Sequence, residues 1–184
     1  MVVTIKILDL GCGNNKIKNA IGVDINKTSN ADLIADLNFP LPFRNNSTDM
    51  VFAREVLEHL QFPKEFLQEC YRILKSNGEL MMTTPNRNSW VNKIFKTYFH
   101  IGKNYQYLKH KKLFSSDELE NLLLEIGFCN LDVKFNPFDS AKHPETNLFR
   151  SIIHYIVPNQ LKEDIVIRCR KSSSIRQRNR RDRI

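Results

Sequence analysis

Two carboxylates and two glycines stand close together near the start of the chain. The stretch LDLGCGNNKIKNAIGVDI, residues 8–25, holds an apolar run with Asp9, a turn with Gly11 and Gly13, and a second apolar run with Asp24. Glycine lets a turn pass close to a ligand, because no Cβ stands in the way. A carboxylate at the end of such a second strand is placed to bind the two hydroxyl groups of a ribose. The pattern predicts a ligand that contains a ribose.

The glycine turn differs from that of dinucleotide-binding proteins. Those proteins use the spacing G-x-G-x-x-G, with a pyrophosphate at the N-terminus of the helix that follows. Residues 11–16 read GCGNNK and lack the third glycine. We therefore do not expect a nicotinamide dinucleotide, and the nearby carboxylates favour a ligand that carries a positive charge beside its ribose.

A second group of chemically active residues lies in the stretch REVLEH, residues 54–59. At helical spacing, Glu55, Glu58 and His59 would lie on or near one face, just after a predicted strand. Two carboxylates and an imidazole could hold a hard divalent ion such as Mg²⁺ against an acceptor hydroxyl and lower the pKa of that hydroxyl. Alternatively, His59 acts without a metal, as a base or as a cap. The residues leave both possibilities open.

The segments that must position these residues alternate between strands and helices. Short apolar and β-branched runs predict strands over residues 4–10, 20–25, 32–37, 48–53, 79–84, 129–135 and 164–170. Two helices are predicted within residues 54–74, the second opened by Pro63 and capped by Gly78 in left-handed conformation. A third is predicted over residues 115–128, from Ser115 or Ser116 to Gly127. This alternation predicts a mainly parallel, doubly wound α/β sheet.

The size and composition indicate one domain. A chain of 184 residues with 41% hydrophobic residues can bury one sizeable core. The four cysteines are scattered, which is typical of reduced thiols. The N-terminal residues lack the features of a signal peptide, and the apolar stretch SIIHYIV is too short to span a bilayer. We therefore expect a cytoplasmic protein without a transmembrane segment.

The net charge of +8 is concentrated at the C-terminus. Residues 168–184 contain eight Lys or Arg residues and one acid, which leaves 20 bases and 19 acids in the rest of the chain. A segment rich in Ser and Arg cannot bury enough apolar surface to fold, so we expect residues 171–184 to be a disordered basic tail. Such a tail either tethers the protein to nucleic acid or to an anionic membrane surface, or only increases solubility.

Five stretches along residues 4–170 resemble, in order, the motifs of class I S-adenosylmethionine-dependent methyltransferases, in particular the small type 11-like group. They are LDLGCG, GVDI, ADLNFPLPFRNNSTDMVFAREVLEHL, RILKSNGELMMTTPN and LFSSDELENLLLEIGF. The resemblance implies a Rossmann-like, mostly parallel seven-stranded sheet with an antiparallel last strand and helices on both faces. It also implies S-adenosylmethionine as the cofactor and methyl transfer as the reaction.

The resemblance further implies which positions bind this cofactor. They are Asp9, Gly11, Cys12 and Gly13 for the methionine part, Asp24 for the ribose, Asp36 and Leu37 for the adenine, and the backbone of Ala53 and Arg54 for the amino-acid end. E-x-x-E-H runs bind metal in similar ubiquinone-biosynthesis and small-RNA 3′-terminal O-methyltransferases, which implies catalytic or metal-binding roles for Glu55, Glu58, His59 and His110. Because the same run occurs in relatives without a known metal, the role of His59 as a base stays open.

Two departures from the family pattern concern the loop after the first strand. Asn15 stands in the place of the usual third glycine, and Asn tolerates left-handed backbone better than most residues. Only eight residues separate Gly13 from Gly22, so the helix expected there must shrink to about one turn or be replaced by a loop. We expect a more open cofactor site as a result.

An insertion over residues 86–112 is placed to cover the acceptor. Its apolar stripe at helical spacing is typical of a lid over an aromatic, lipid-like or sugar acceptor, or of an ordinary core helix. With residues 1–170 as one methyltransferase domain, we expect O-methylation of a small molecule, a lipid, a quinone-type phenol or a glycan. The alternatives are RNA methylation and a cofactor-binding but inactive accessory module that is tethered by the basic tail.

Overall fold

The computed structural model describes residues 5–89, 111–136 and 164–173. In this part of the chain, the strands are β1 (Ile7–Leu10), β2 (Ile21–Asp24), β3 (Leu33–Ile34), β4 (Thr48–Arg54), β5 (Leu74–Pro85), β6 (Phe128–Asn136) and β7 (Asp164–Lys171). The helices are α1 (Pro63–Ile73) and α2 (Ser116–Ile126), and Leu57–His59 form a single 3₁₀ turn. All seven predicted strands are confirmed, although β3 is only two residues long.

The seven strands form one sheet in the order β3-β2-β1-β4-β5-β7-β6. Strands β1 to β5 pair in parallel, whereas β7 is antiparallel to both of its neighbours, β5 and β6. The prediction of a mostly parallel seven-stranded sheet with an antiparallel last strand is therefore confirmed. The strand order reverses between β1 and β4, and in such sheets ligands bind at the carboxyl ends of the strands beside this point.

One hydrophobic core lies between the sheet and the two helices. The buried helix positions recur at three- and four-residue spacing, as in other amphipathic helices. They are Phe66, Leu67, Cys70 and Ile73 in α1, and Leu119 and Leu123 in α2. Because α1 and α2 contact each other, the expectation of helices on both faces is met for one face in the described residues. Neither helix is long and apolar enough to span a bilayer.

The ends of the two helices test the capping predictions. Ser115 caps α2 in a capping box with Glu118, and Gly127 ends the helix in left-handed conformation (φ 114°), as predicted. The prediction that Gly78 caps α1 is wrong. Leu74 is already extended after Ile73, so β5 follows α1 directly, and the left-handed residue here is Asn77 (φ 62°), which lies within β5.

A loop replaces the helix between β1 and β2, as the short separation predicts. Its Lys16 ammonium binds both carboxylate oxygens of Asp32, at 2.8 and 2.9 Å. The stem of Lys16 also crosses Gly22, where a Cβ would lie 2.6 Å from Lys16 Cδ. These contacts fasten the loop to β2 and to the segment before β3, so the loop keeps its place without a helix.

The left-handed residues of this loop are Gly11, Gly13 and Asn19. Asn15, which stands in the place of the third glycine, is not among them. In dinucleotide-binding proteins the third glycine of such a turn allows close packing of a helix against the strand. Since no helix follows β1 here, the backbone at Asn15 does not need the conformation that the sequence suggested.

The last strand reaches the start of the predicted basic tail. Lys171 ends β7, and its ammonium donates to the carbonyl of Tyr71 at 2.7 Å, close to the C-terminal end of α1. Arg168 and Arg170 both bind the carboxylate of Glu79, with Nε–Oε distances of 2.9 and 2.8 Å. Part of the C-terminal positive charge therefore belongs to the folded sheet. Residues 174–184 lie outside the described residues, and their disorder stays a prediction.

Candidate active site

The carboxyl ends of β1, β2 and β4 meet at one edge of the sheet. β1 lies between the other two strands, with Leu10 opposite Val23 of β2 and Ala53 of β4. This parallel register places Asp9 and Asp24 on neighbouring strands, with the glycine turn between them. The structure thus brings together the residues that the sequence assigns to the methionine and ribose parts of a cofactor.

Asp24 is held at the end of β2 by backbone amides. Its Oδ2 accepts a hydrogen bond from Gly13 N and its Oδ1 accepts one from Asn26 N, both at 2.8 Å. At Gly13, which is left-handed (φ 51°), an added Cβ would meet no heavy atom of the described residues within 4 Å. The carboxylate is therefore fixed beside an open space that a ligand can enter.

Asp9 is buried within β1 and accepts hydrogen bonds through one of its oxygens. Oδ2 accepts from Ile17 N at 2.8 Å and from the Arg54 guanidinium at 2.9 Å. Oδ1 is buried and has no hydrogen-bond partner among the described residues. An unpaired buried oxygen is costly, so this atom marks a position where a ligand could donate a hydrogen bond.

The glycine turn leaves β1 through Gly11 and Cys12. Gly11 N donates to Val23 O at 2.7 Å, which continues the β1–β2 pairing into the turn. The Cys12 side chain is buried beneath the turn. Burial, together with the charges of Asp9 and Asp24, raises the pKa of the Cys12 thiol. Cys12 therefore stays protonated at neutral pH, and its contact with the cofactor stays a prediction.

The positions assigned to the adenine follow β3. Leu37 is buried, and Asp36 Oδ1 accepts from the backbone and side-chain amides of Asn38, at 2.9 and 2.8 Å. Asn38 Oδ1 in turn accepts from Gln61 N at 2.7 Å. This bond ties the loop after β3 to the chain after the 3₁₀ turn, so both segments border the same edge of the sheet.

The prediction that Glu55, Glu58 and His59 share a helix face is wrong. Glu55 has a left-handed backbone (φ 54°), and only Leu57–His59 form a helical turn. The reason is that Glu55 is bound to β5, because Glu55 N donates to Thr83 O at 3.0 Å and Thr83 Oγ1 donates to Glu55 Oε1 at 2.8 Å. The chain can turn helically only after this anchored residue.

Glu58 and His59 differ strongly in exposure. The Glu58 side chain is fully buried, and its Oε2 accepts from Thr84 Oγ1 at 3.0 Å. Burial and the nearby charge of Glu55 raise the pKa of Glu58 from 4.5 to about 8. The His59 side chain is 41% exposed, and its Nε2 lies 3.9 Å from Glu58 Oε1. At neutral pH the pair therefore presents an accessible imidazole beside an uncharged carboxyl group.

The predicted metal ligands do not form a cluster in the described residues. In that part of the chain, no three His, Cys, Asp or Glu side chains lie close enough together to hold a metal ion. His110 lies outside the described residues. The metal site therefore stays a prediction of the sequence.

The two ends of the predicted insertion meet beside this turn. Asn86 and Phe114 form a parallel bridge, and Lys111 N donates to Glu58 O at 2.8 Å. Residues 90–110 lie outside the described residues. The segment 86–112 thus leaves and rejoins the fold next to Glu58 and His59.

The Arg54 side chain is the site group that the sequence reasoning missed, because only its backbone was considered. Its guanidinium reaches from the end of β4 to Asp9 and to Asn15 O, at 2.9 and 2.7 Å. A signal was present in the sequence. An aspartate within an apolar central strand needs a partner for its charge, and Arg54 ends the strand that neighbours β1.

The strand order, the glycine turn and the strand-end acids are those of the class I methyltransferase fold. A family model described as a methyltransferase domain matches residues 3–133. The chain belongs to this methyltransferase domain family.

Two relatives show the sequence similarity. A probable S-adenosylmethionine-dependent methyltransferase of Mycobacterium tuberculosis is 29% identical in an alignment of 143 positions that covers 68% of this chain and 49% of the relative. The mitochondrial ubiquinone biosynthesis O-methyltransferase of Schizosaccharomyces pombe is 27% identical in an alignment of 161 positions that covers 72% of this chain and 59% of the relative. The chain therefore spans less than two thirds of the length of these curated relatives.

Solved structures show that the fold is shared. An S-adenosylmethionine-dependent methyltransferase from Archaeoglobus fulgidus has a TM-score of 0.67 at 20% identity, over 92% of this chain and 87% of that one. Phosphoethanolamine N-methyltransferase 2 of Haemonchus contortus, in complex with S-adenosylmethionine, has a TM-score of 0.65 at 17% identity, over 94% of this chain and 50% of that one.

Proposed function

We propose that this chain is an S-adenosylmethionine-dependent methyltransferase that methylates an oxygen of a small molecule, a lipid, a quinone-type phenol or a glycan. The observation that carries the proposal is the pair of strand-end carboxylates, Asp9 and Asp24, which a left-handed glycine turn joins beside an open space. Membership of the methyltransferase domain family supports it.

The described residues fit S-adenosylmethionine. A carboxylate offers about four acceptor positions, so Asp24 can bind the ribose hydroxyl groups while it keeps its two backbone amides. Asp9 Oδ1 can accept from an ammonium group, and Asp36 with Leu37 would flank the adenine. When bound, this cofactor supplies a methyl group on a positively charged sulfur, and nearby carboxylates complement such a charge.

The chain's own task in the reaction is to hold the acceptor and to remove its proton. Alignment of a nucleophile with the methyl group can supply most of the acceleration of such a displacement. His59 is exposed at the edge of the sheet where β4 ends, so its imidazole can take the proton of an acceptor hydroxyl as a general base. Glu58 is uncharged at neutral pH and does not compete for this proton.

One observation supports an acceptor that is covered by the segment 86–112, and a second supports an oxygen as the methylated atom. The two ends of the segment 86–112 leave and rejoin the fold beside Glu58 and His59, which supports the predicted role of this segment as a cover over a small acceptor. The Schizosaccharomyces pombe relative is an O-methyltransferase of ubiquinone biosynthesis, which favours a phenolic hydroxyl among the acceptors. A metal ion, a cytoplasmic location and a tethering tail are not needed for this reaction and stay predictions.

Binding of the demethylated product, S-adenosylhomocysteine, tests the cofactor site. At one hundred times its dissociation constant, the product should add about 2.7 kcal/mol to the free energy of unfolding, which raises the melting temperature by roughly 5 to 10 °C. In D24N the loss of a charged acceptor for the ribose hydroxyls should weaken product binding roughly 10- to 100-fold. Thermal melting with increasing product concentration gives both values.

The matched control is D132N, since Asp132 is a half-exposed residue of β6 that pairs with Lys134. D132N should bind S-adenosylhomocysteine like the wild type. If the wild type shows no shift at millimolar product, or if D24N and the wild type bind equally well, the proposed cofactor site is wrong.

Methylation of a simple catechol tests the acceptor class. The wild type should transfer the labelled methyl group of S-adenosylmethionine to the phenolic oxygen. H59Q should react roughly 100-fold more slowly near pH 7, because a general base contributes on that scale, yet it should bind S-adenosylhomocysteine normally. Full activity of H59Q would exclude the base role. Transfer to RNA but not to phenols would favour the RNA alternative, and no transfer to any acceptor would favour the accessory module.

A further inference from the structure

Arg54 contributes a half-exposed positive charge to the proposed cofactor site. It is the last residue of β4, and its guanidinium crosses the end of β1. Nη2 alone makes both hydrogen bonds, to Asp9 Oδ2 at 2.9 Å and to Asn15 O at 2.7 Å. The side chain of Arg54 is 39% exposed, whereas that of Asp9 is 1% exposed. The ion pair therefore presents its arginine to the open side of the site.

The Asp9–Arg54 ion pair has one acceptor atom and one donor atom that make no hydrogen bond within the described residues. Asp9 Oδ1, an acceptor, and Arg54 Nε, a donor, are buried without a hydrogen-bond partner among the described residues. A guanidinium carries five N–H donors and binds a carboxylate best with two parallel bonds, yet Asp9 receives only one. A ligand group that combines an ammonium with a carboxylate would complement both members of the pair.

We propose that the Arg54 guanidinium binds the carboxylate of the methionine part of S-adenosylmethionine, while Asp9 accepts from its ammonium group. The inference rests on the proposed function and adds a side-chain role to Arg54. Lys16, the nearby cation of the loop, is already bound to both oxygens of Asp32. Arg54 would thus make the site select ligands that have an amino-acid end.

Two related ligands separate this role from a purely structural ion pair. S-adenosylhomocysteine has the amino-acid end, whereas 5′-methylthioadenosine has the same adenosine and sulfur without it. The wild-type chain should bind the first ligand at least ten times more tightly than the second. R54M should bind S-adenosylhomocysteine roughly 10- to 100-fold more weakly than the wild type, on the scale of a charged hydrogen bond. Its dissociation constant for methylthioadenosine should stay within about twofold of the wild-type value. Isothermal titration calorimetry gives both dissociation constants.

Two further variants complete the experiment. R54K keeps the charge without the two-pronged geometry, so its preference for S-adenosylhomocysteine should lie between those of the wild type and R54M. It also keeps a counter-charge for Asp9 if R54M does not fold. R87M is the matched control, because Arg87 pairs with Glu118 of α2, and it should bind both ligands like the wild type.

The outcomes distinguish this inference from the proposed function. If R54M and R54K bind both ligands more weakly by the same factor, or bind both as tightly as the wild type, the proposed role of Arg54 is wrong. The proposed cofactor site would not be affected by that result. The same holds if the wild type binds both ligands equally well. If the wild type binds neither ligand, the proposed function itself fails and the inference fails with it. A selective loss of S-adenosylhomocysteine supports the inference.

Discussion

Glu58→Gln is expected to make the protein more stable than the wild type at pH 9 and equally stable near pH 4.5. The Glu58 carboxyl group is fully buried next to Thr84, and both burial and the charges of Glu55 and Asp164 disfavour its ionised form. A glutamine has a similar shape and no proton to lose. The substitution therefore removes the cost of a buried negative charge.

The sign of the pH dependence follows from the two pKa values. The folded protein holds the Glu58 proton up to about pH 8, whereas an ordinary glutamate releases it near pH 4.5. The contribution of this proton to stability is complete below pH 4.5 and declines as the pH rises to 8, by about 1.4 kcal/mol per pH unit. At pH 9 the wild type should thus be roughly 5 kcal/mol, or roughly 10 to 20 °C, less stable than E58Q.

Thermal melts of both proteins between pH 4.5 and 9 measure this difference. E120Q, the same substitution at a partly exposed position of α2, is the control. Its melting temperature should change with pH in the same way as that of the wild type. If the melting temperatures of E58Q and the wild type keep a constant separation over the whole range, Glu58 is ionised in the folded protein at neutral pH. His59 would then stand beside a negative charge, and the proposed environment of the base would be wrong.

Gly11→Ala is expected to destabilise the protein and to impair the proposed cofactor site. Gly11 is left-handed (φ 71°), and a Cβ at this position would lie 2.3 Å from Val56 Cγ2. The left-handed backbone costs an alanine about 1 to 2 kcal/mol, and the overlap with a buried side chain costs about 1 to 3 kcal/mol more. The melting temperature should fall by roughly 5 to 15 °C, and S-adenosylhomocysteine should bind more weakly because the turn must shift.

Gly13→Ala provides the matched comparison for this effect. Gly13 is also left-handed, but a Cβ there would meet no described atom within 4 Å. G13A should therefore lose only about 1 to 2 kcal/mol, while its methyl group enters the space proposed for the ligand. Val56→Ala should recover part of the stability of G11A in the double variant, since it removes the overlapping Cγ2, and should not recover that of G13A. If the stability changes of Val56→Ala and Gly11→Ala simply add in the double variant, as those of Val56→Ala and Gly13→Ala should, the packing argument is wrong.

Most of the proposed cofactor site could be predicted from the sequence because its residues follow local rules. Asp9 and Asp24 each follow a short apolar run, and the glycines stand between them. Parallel pairing of these runs is enough to bring the acids to one edge of the sheet. The same locality explains the confirmed cap of α2, where Ser115 and Glu118 bind each other's backbone within a single turn.

The predictions for Glu55, Glu58 and His59 depended on a helix that does not form. Their spacing fits a helical face, but a hydrogen bond between Glu55 and Thr83 of β5 holds the first residue in left-handed conformation. Residues 55 and 83 are far apart in the chain, so no local pattern contains this contact. The difference in exposure between Glu58 and His59, and with it the raised pKa of Glu58, follows from that turn.

The sequence by itself determined which segments form strands, the glycine turn and the strand-end acids, because hydrophobic periodicity and turn residues act over a few neighbouring positions. The tertiary structure alone decided that the Arg54 side chain reaches Asp9 on the neighbouring strand, that Lys16 and Asp32 fasten the loop after β1, and that Glu58 is buried. Each of these depends on burial and charge pairing between residues that only the sheet brings together.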